Sequence, residues 1–412
     1  MRNYKYIILG GGVAAGYAAK SFAEAGIDSG ELAIISAESS LPYERPPLSK
    51  AFLAGDKSPS EILINDQAFY DDHGIAVFLE TRIQTIEPEK SALYSKDDTF
   101  TYEKLLICTG SRVRTLDIPG AEWDGVHYLR SLADSMAIRE QEYDIARVVI
   151  LGGGYIGMEV ASQMRQKNYE VTMVFPEDAL MKDHFFTKEM SEFFEEYYRE
   201  QGVKFIKGEK AVEIIGSNGH LTNVRLDSGK TLETDLVIAG IGVIPNIDLF
   251  EKTSIRTEEG ILVDHFLTSS ISNIYVAGDV ATYHDVIFDK HRRIEHWNNA
   301  VTQGQYAAQV MTNQTREPYR EIPYFFSDIF DLSYEFWGDV KEADRVVYRG
   351  ELSAEGFSVW WLQQNRLVAA FVMGRPDEER EFAQMMIANG EPVAATMLED
   401  SNQSLKAPNA TA

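Results

Sequence analysis

The apolar positions of this chain fall into short runs, and two of these runs lead into the same pattern of glycines. The first reads YIILGGGVAAG at residues 6–16, and the second reads VVILGGGYIGME at residues 148–159. Each run predicts a buried strand, and the small and apolar residues that follow it predict a helix that packs on that strand. The repeat therefore predicts two βα units, each with a glycine-rich turn between strand and helix.

The glycine spacing in both turns is typical of a dinucleotide-binding loop. Gly10 suits the tight turn, Gly12 lets the backbone approach a pyrophosphate, and Ala15 lets the helix pack closely on the strand. Gly157 has the position of Ala15 in the second copy. The N-terminus of each helix offers free N–H groups and a positive dipole end to the phosphates. We therefore expect two dinucleotides; the alternative is a pair of glycine-rich turns in an ordinary α/β domain.

An acidic residue stands near the end of the strand after each loop, where a ribose would lie. Glu38 ends the segment ELAIISAE, and Glu177 ends the segment YEVTMVFPE. A carboxylate accepts hydrogen bonds from ribose hydroxyls and repels a 2′-phosphate. Glu177 therefore predicts NADH rather than NADPH in the second site.

Three further apolar runs end at glycine: LLICTG (105–110), DLVIAGIGVIPN (235–246) and NIYVAGDVA (273–281). In the last of them, Asp279 follows a turn of small residues at the end of a strand, where a side chain can reach a ligand. The alternative is a buried aspartate that caps a helix. Near the C-terminus, FSVWWLQQNRLVAAFVMG predicts a hairpin in which Trp360 and Trp361 point to opposite faces.

Composition and charge limit the possible partners. The chain has 412 residues, 44% of them hydrophobic and 25% charged, which is ordinary for a globular protein. Its net charge of −25 disfavours nucleic acid and anionic membranes as partners. We see neither a signal peptide nor an apolar run long enough to span a membrane, and we expect a cytoplasmic protein.

The single cysteine, Cys108, limits the chemistry further. It rules out an internal disulfide, a redox-active dithiol, a four-cysteine zinc site and a cysteine-ligated iron–sulfur cluster. Because Cys108 lies in the apolar run KLLICTG, we interpret it as a small buried hydrophobic residue. Redox chemistry, if present, must come from a bound cofactor, and we predict no metal site.

Together with the two glycine loops, the segments LPYERPPLSK (41–50), GIGVIPN (240–246) and VAGDVA (276–281) resemble the two-dinucleotide flavoprotein reductases. Within that family, the chain is most similar to monodehydroascorbate reductases, putidaredoxin-type ferredoxin reductases and apoptosis-inducing factor. The resemblance runs from about residue 4 to about residue 395 and implies FAD and NADH as cofactors.

The resemblance implies an α/β fold with two Rossmann-like dinucleotide-binding domains, one for FAD and one for NAD, and a C-terminal α+β domain. The expected boundaries are 1–115 and 247–320 for the FAD-binding domain, 116–246 for the NAD-binding domain, and 321–400 for the last. The polar tail at 401–412 is expected to be disordered.

The resemblance also implies the residues that contact the cofactors. In addition to Gly10 and Gly12, the expected FAD contacts are Ala14, Ala15, Glu38, Arg45, Lys50, Ile83, Arg130, Ser131, Asp279, Trp297 and Phe326. The expected NAD contacts are Gly153, Gly154, Tyr155, Ile156, Gly157, Glu159, Glu177, Gly242, Glu295 and His296. Arg45 precedes Pro46 and Pro47, which hold it in an extended segment.

Lys50 and Glu159 are the expected catalytic pair. In the similar enzymes, these two residues meet beside the flavin, where the ammonium stabilises incoming electron density and the carboxylate keeps the ammonium paired. Hydride then passes from the nicotinamide to the flavin without a protein nucleophile. The alternative is that Lys50 is a solvated surface lysine and Glu159 merely favours a helix N-terminus.

The electron acceptor is expected to be a one-electron species. The FDL and FWGD portions of 324–340 resemble the monodehydroascorbate enzymes, but Val301 and Phe326 replace their ascorbate-contacting arginine and tyrosine. The segment YFFSD also resembles ferredoxin reductases and apoptosis-inducing factor. Basic residues that could form a docking patch for a [2Fe–2S] ferredoxin are Lys290, Arg292 and Arg293, or Arg345 and Arg349.

Two alternatives remain open for the acceptor. A quinone or other small-molecule reductase needs only an aromatic wall over the flavin, for which Phe325, Phe326, Trp360 and Trp361 are candidates. A redox-sensing protein, similar to apoptosis-inducing factor, would instead hold a long-lived reduced complex that changes its assembly. The chain is expected to be a monomer or a homodimer.

Overall fold

The computed structural model describes residues 1–141, 145–182, 184–217 and 219–405. The strands are, in chain order, β1 (Arg2–Leu9), β2 (Leu32–Ile35), β3 (Ala76–Phe78), β4 (Thr85–Glu87), β5 (Ala92–Tyr94), β6 (Thr99–Ile107), β7 (Ser111–Val113), β8 (Val126–Tyr128), β9 (Arg147–Leu151), β10 (Glu170–Phe175), β11 (Lys204–Lys207), β12 (Ala211–Ser217), β13 (His220–Leu226), β14 (Thr231–Glu233), β15 (Leu236–Ala239), β16 (Val243–Pro245), β17 (Ile261–Leu262), β18 (Ile274–Val276), β19 (Ala281–Asp285), β20 (Lys290–Arg292), β21 (Tyr324–Ile329), β22 (Leu332–Gly338), β23 (Arg345–Arg349), β24 (Phe357–Gln363) and β25 (Arg366–Met373). The helices are α1 (Val13–Glu24), α2 (Ala51–Ala54), α3 (Gln67–Asp72), α4 (Leu132–Glu140), α5 (Tyr155–Gln166), α6 (Lys188–Glu200), α7 (Trp297–Met311), α8 (Asp377–Asn389) and α9 (Ala395–Glu399).

Two compact units are built from interleaved segments of the chain. The first contains Met1–Pro46, Ser58–Arg112 and Val243–Glu321, and the second contains Pro47–Lys57, Val113–Gly242 and Ile322–Ala412. Most of the segments expected to bind FAD are therefore in the first unit. The short segment Pro47–Lys57 groups instead with the second unit. There α2 contacts α4, and the hydroxyl of Ser135 in α4 donates a 2.9 Å hydrogen bond to the carbonyl of Leu48.

The first unit is organised around a sheet with the order β3-β2-β1-β6-β5-β4, in which β18 also pairs with β6. β1, β2, β3, β6 and β18 pair in parallel, and β4 and β5 continue the sheet in antiparallel fashion. Helices α1 and α7 approach closely, since a Cβ at Gly304 would lie 2.3 Å from the carbonyl oxygen of Ala14. The strands' apolar residues form one buried core with these helices.

The second unit contains a parallel sheet with the order β11-β10-β9-β15-β8. Helix α5 follows β9 after the turn at residues 152–154 and contacts both β9 and β10. A small antiparallel sheet, β12-β13-β14, accompanies it. The strand, glycine turn and helix pattern at 148–159 therefore gives the predicted βα unit, as does the pattern at 6–16.

The same unit carries an antiparallel sheet with the order β21-β22-β25-β24-β23, on which α8 packs. Trp360 and Trp361 are both buried, the first against Phe382 of α8 and the second against Phe336 of β22. The two indoles thus point to opposite faces of the sheet, as expected for neighbours on a strand. The α/β fold, with its parallel nucleotide-type sheets and its C-terminal α+β part, is confirmed.

Arg349 lies at the end of β23 and holds the C-terminal segment. It pairs with Glu379 at 2.9 Å and donates to the carbonyls of Leu398, Asp400 and Gln403. Within the tail for which disorder is predicted, Leu405 is buried; residues 406–412 lie outside the described residues.

The part of the chain that the structure describes lacks both a membrane-spanning helix and a cluster of metal-ligating side chains. None of its helices is long and apolar enough to span a membrane. Nor does any group of three histidine, cysteine, aspartate or glutamate residues in those ranges come together as a metal site.

Candidate functional site

The first glycine loop joins β1 to α1 in the first unit. Gly10 has a φ of +125°, and a Cβ there would lie 2.2 Å from the carbonyl oxygen of Cys108, so only glycine fits. Helix α1 begins after Gly12, and none of the described side chains caps this end. The N–H groups of the first turn are therefore available to an anion, which fits the pyrophosphate of a dinucleotide.

Glu38 and Arg45 form an ion pair beside this loop. The distance between Arg45 Nη2 and Glu38 Oε1 is 2.8 Å, and the hydroxyl of Tyr43 donates to Glu38 Oε2 at 2.6 Å. Burial alone would lower the pKa of Arg45, but Tyr43, Glu38 and Asp279 raise it above its ordinary value. The guanidinium is thus a fixed positive charge, and a Cβ at Gly12 would lie 3.7 Å from it.

The remaining residues of the first unit that are predicted to contact a cofactor are either buried or held by hydrogen bonds. Ala14, Ala15, Ile83 and Asp279 are buried. The indole N–H of Trp297 donates to Glu44, which also accepts a 2.7 Å hydrogen bond from the hydroxyl of Tyr17. Glu295 accepts from Arg293, and Nδ1 of His296 accepts a 3.2 Å hydrogen bond from the backbone N–H of Asn298 at the start of α7.

The second glycine loop joins β9 to α5 in the second unit. Gly152 has a φ of +122°, and a Cβ there would lie 2.2 Å from the carbonyl oxygen of Gly240. A Cβ at Gly157 would lie 2.3 Å from the carbonyl oxygen of Gly152, so glycine allows the close packing of helix on strand. Gly154 precedes α5 without a side-chain cap from any described residue. This loop therefore also fits a dinucleotide.

Four more of the residues predicted for NAD lie in the same unit as the second loop, whereas Glu295 and His296 belong to the first unit. Glu177 comes two residues after β10 ends, and Ile156 at the start of α5 has 40% of its surface exposed. Gly242 has a φ of +98°. Gly153 lies against Phe175, whose ring a Cβ at this position would approach to 2.8 Å.

Tyr155, the first residue of α5, lies in an aromatic cluster. Its ring centroid is 3.7 Å from that of Phe325 in β21, 4.6 Å from that of His184 and 6.1 Å from that of Phe185. Burial raises the pKa of Tyr155 well above its ordinary value, with a smaller contribution from Tyr334. Its hydroxyl is therefore neutral in the physiological range.

The structure brings Lys50 and Glu159 together. Lys50 Nζ lies 3.0 Å from Glu159 Oε1, and the two side chains are only 15% and 7% exposed. The same ammonium lies 3.7 Å from Asp328 Oδ2 and 4.9 Å from the ring centroid of Phe326. A buried ammonium that is paired on one side can stabilise negative charge developing on the other.

Local sequence explains how Lys50 reaches this position. The segment Pro46–Ser49 forms a 3₁₀ turn, and Lys50 directly precedes α2. Behind it, α4 anchors the segment, because Arg139 lies over the ring of Phe52 at 5.0 Å. Arg130 and Ser131 form the N-terminal cap of α4 through Asp134, to which both donate their backbone N–H groups.

Three polar residues around the Lys50–Glu159 pair were not singled out in the sequence: Ser49, Ser327 and Asp328. The hydroxyls of Ser49 and Ser327 both donate to Glu159, at 2.5 Å and 2.6 Å. A signal was available for two of them, because alternation along YFFSDI puts Phe325 and Ser327 on one face of β21 and Phe326 and Asp328 on the other.

Two further interpretations are settled by burial. Cys108 is buried and its pKa is raised by burial, as expected of a small hydrophobic residue. The suggestion that Arg345 and Arg349 form a basic docking patch is wrong, because Arg349 is buried and engages Glu379 and backbone carbonyls.

Sequence families match nearly the whole chain. The Pyridine nucleotide-disulphide oxidoreductase family matches residues 4–304, and the Reductase C-terminal family matches residues 324–408. The chain is 39% identical to the peroxisomal monodehydroascorbate reductase 4 of Arabidopsis thaliana, covering 92% of this chain and 81% of that protein. It is 36% identical to a monodehydroascorbate reductase of Pisum sativum, and the alignment covers 98% of this chain and 97% of that protein.

Solved structures agree with this assignment. A ferredoxin reductase from Rhodopseudomonas palustris matches with a TM-score of 0.92 at 31% identity, covering 98% of this chain and 99% of that one. Putidaredoxin reductase, in its covalent complex with putidaredoxin, matches with a TM-score of 0.91 at 29% identity. This match covers 97% of this chain and 96% of that one. The chain therefore belongs to the pyridine nucleotide-disulphide oxidoreductase family and is an FAD- and NAD(P)H-dependent oxidoreductase that passes electrons to an acceptor.

Proposed function

We propose that the protein oxidises NADH and delivers electrons singly to an acceptor, with FAD at the first glycine loop and NADH at the second. FAD, when bound, accepts a hydride from the nicotinamide and releases the two electrons one at a time. The chain supplies the phosphate-binding helix ends after Gly12 and Gly154 and the fixed charge of Arg45.

The observation that carries this proposal is the 3.0 Å ion pair between Lys50 and Glu159. We assign both to the flavin: the Lys50 ammonium stabilises electron density that arrives in the ring, and Glu159 keeps the ammonium in place. No sulfur takes part, because the one cysteine of the chain is the buried Cys108. In this respect the chain differs from a disulfide reductase, which needs a reactive thiol.

We propose that Glu177 makes the enzyme prefer NADH over NADPH. Its carboxylate would bind the ribose hydroxyls and repel a 2′-phosphate. Replacing Glu177 with alanine should lower the ratio of kcat/KM for NADH to kcat/KM for NADPH by roughly 10-fold, since one charged hydrogen bond and one repulsion are lost. The neighbouring Asp178, exposed and paired with Lys182 at 2.7 Å, provides the matched control. An unchanged ratio in Glu177→Ala would reject the assignment.

We propose a ferredoxin-type [2Fe–2S] protein as the electron acceptor. In support, the buried Val301 of α7 has no positive charge and Phe326 has no hydroxyl. Neither therefore supplies the group of the arginine or tyrosine that would contact an ascorbate radical. The ferredoxin reductase from Rhodopseudomonas palustris also covers this chain almost completely. Among the basic candidates for docking, Lys290 is on the β19–β20 hairpin, whereas the side chains of Arg292 and Arg293 are only 12% and 17% exposed and pair with Asp285 and Glu295.

A second candidate acceptor is the monodehydroascorbate radical. It is favoured by the 39% identity to the Arabidopsis thaliana enzyme over 92% of this chain. This candidate requires that another cation replace the guanidinium missing at Val301.

One experiment separates these acceptors. The enzyme is reduced anaerobically with one equivalent of NADH and then mixed by stopped flow with a ferredoxin, with enzymatically generated monodehydroascorbate radical, or with a soluble quinone. Fast reoxidation by ferredoxin alone supports the first candidate, and fast reoxidation by the radical supports the second. Reoxidation by quinone alone would contradict both, and slow reoxidation by all three would indicate a redox-sensing role.

We also propose that the protein acts in the cytoplasm as a monomer or a homodimer. A single, buried cysteine fits a compartment that keeps thiols reduced. The curated relatives include a peroxisomal enzyme, so microscopy of the tagged protein is the appropriate test of the compartment. Light scattering after gel filtration measures the molar mass in solution and so distinguishes a monomer from a homodimer.

A further inference from the structure

The carboxylate of Glu159 is surrounded by three hydrogen-bond donors from two parts of the chain, the adjacent residues Ser49 and Lys50 and the distant Ser327. The Ser49 hydroxyl donates to Oε2 at 2.5 Å, and the Ser327 hydroxyl donates to Oε1 at 2.6 Å. Lys50 Nζ lies 3.0 Å from the same Oε1. Ser49 and Lys50 precede α2 and Ser327 is in β21, so two distant segments converge on the side chain of Glu159 in α5.

Both serines are almost completely buried, at 3% for Ser49 and 1% for Ser327. A buried hydroxyl that points at a carboxylate has given up its hydrogen bonds to water, so its direction is fixed by the protein. With both oxygens engaged, Glu159 cannot rotate about its terminal bond without breaking one of these contacts. The carboxylate therefore presents Oε1 to Lys50 in one orientation.

Lys50 has a second carboxylate within reach. Asp328 Oδ2 lies 3.7 Å from Lys50 Nζ, and the Asp328 side chain is 49% exposed, compared with 7% for Glu159. Asp328 also accepts a 2.8 Å hydrogen bond from the hydroxyl of Ser333 on its other oxygen. The ammonium is thus shared unequally between a near, buried carboxylate and a more distant, solvent-exposed one.

We propose that Ser49 and Ser327 are positioning residues for the redox reaction. They lock the Glu159 carboxylate so that the Lys50 ammonium stays on Glu159 rather than moving to Asp328. They act through Glu159 and are not catalytic residues. This inference rests on the proposed function, in which the Lys50 ammonium stabilises electron density on the flavin.

The test compares Ser49→Ala, Ser327→Ala and the double variant as FAD-loaded proteins. Each lost hydroxyl should slow anaerobic reduction of FAD by NADH roughly 10-fold, and the double variant roughly 100-fold, because a hydrogen bond to a charged group is lost each time. The midpoint potential of bound FAD should become more negative by about 30 mV for a tenfold change in its two-electron equilibrium. The FAD content should stay unchanged, because both hydroxyls are buried and directed at Glu159.

Two further variants identify the positioning role. Ser327→Thr keeps the hydroxyl, and a strand tolerates a β-branched residue. This variant should therefore have the potential and the rate of the wild-type protein. Adding Asp328→Asn to Ser327→Ala removes the competing carboxylate and should recover part of the potential. If the alanine variants do not fold, Ser327→Thr still tests the inference, because a folded, FAD-loaded Ser327→Thr protein with a clearly more negative potential would contradict it.

Ser358→Ala is the matched control. Ser358 is also buried and donates a 2.7 Å hydrogen bond to a buried carboxylate, that of Glu379. Its loss should destabilise the protein and leave the potential unchanged. Equal potentials in Ser327→Ala, Ser49→Ala and wild type would overturn the inference. A wild-type protein that NADH cannot reduce would instead reject the proposed function itself, so the two failures are distinguishable.

Discussion

Replacing Lys50 with methionine tests the reactive pair most directly, because methionine keeps much of the side-chain volume and removes the charge. At the observed 3.0 Å, two unit charges attract by about 5 kcal/mol at an effective dielectric constant near 20. The desolvation of both groups opposes part of this attraction. Loss of one partner from a buried pair typically costs about 3–5 kcal/mol. Because Ser49 and Ser327 still hold Glu159, we expect the lower end, about 3 kcal/mol of unfolding free energy.

The effect on chemistry should be separable from the effect on stability. Removing a fixed charge from a site of developing charge commonly lowers a rate roughly 100- to 1,000-fold, and we expect this for FAD reduction by NADH in Lys50→Met. Adding Glu159→Gln removes the unpaired carboxylate and should restore most of the stability without restoring the rate. Urea denaturation and anaerobic stopped-flow absorbance measure the two quantities. A double variant that recovers both, or a single variant reduced at the wild-type rate, would refute the reasoning.

Other sites give predictions on stability that urea denaturation can check. Gly10→Ala should cost about 3 kcal/mol or more, because its Cβ would lie 2.2 Å from the Cys108 carbonyl oxygen; Gly30→Ala, with a φ of +85° and open space, should cost only about 1 kcal/mol. Equal losses would contradict the steric argument. Arg349→Ala should cost about 3–5 kcal/mol and expose the C-terminal segment to proteases; unchanged cleavage would argue against its anchoring role. Burial alone would raise the pKa of Glu379, but hydrogen bonds from a serine and two arginines lower it, so it stabilises the fold above its ordinary pKa of 4.5. This contribution should be lost as the pH falls through the lowered pKa, and Glu379→Gln should show a shallower loss below about pH 4.5; parallel pH profiles would disprove this.

Local pattern was sufficient for the features that depend on neighbouring residues. The glycine loops at Gly10 and Gly152 could be identified because a tight turn, a strand and a helix all lie within a dozen residues. The burial of Cys108 followed from its apolar run in the same way. The proximity of Lys50 to Glu159 came from resemblance to known enzymes, since nothing local connects a loop lysine with a helix more than a hundred residues later.

Contacts between distant segments account for what the sequence did not reveal. Ser49 and Ser327 are unremarkable serines until α5 brings Glu159 between them. Arg349 reads as one of many surface arginines, and only the packing of α8 and the C-terminal segment makes it a buried anchor. Residue type alone predicts an exposed arginine, because a buried arginine needs partners that are far away in the chain.

The position of β18 has a consequence for how the chain is made. β18 pairs with residues 105–107 of β6, although it is synthesised long after that strand. Until it emerges from the ribosome, Leu105, Leu106 and Ile107 present an unpaired, wholly apolar edge, which is a template for aggregation. Nascent chains that stop before β18 are therefore natural clients for chaperones, and the first unit can close only when most of the protein has been translated.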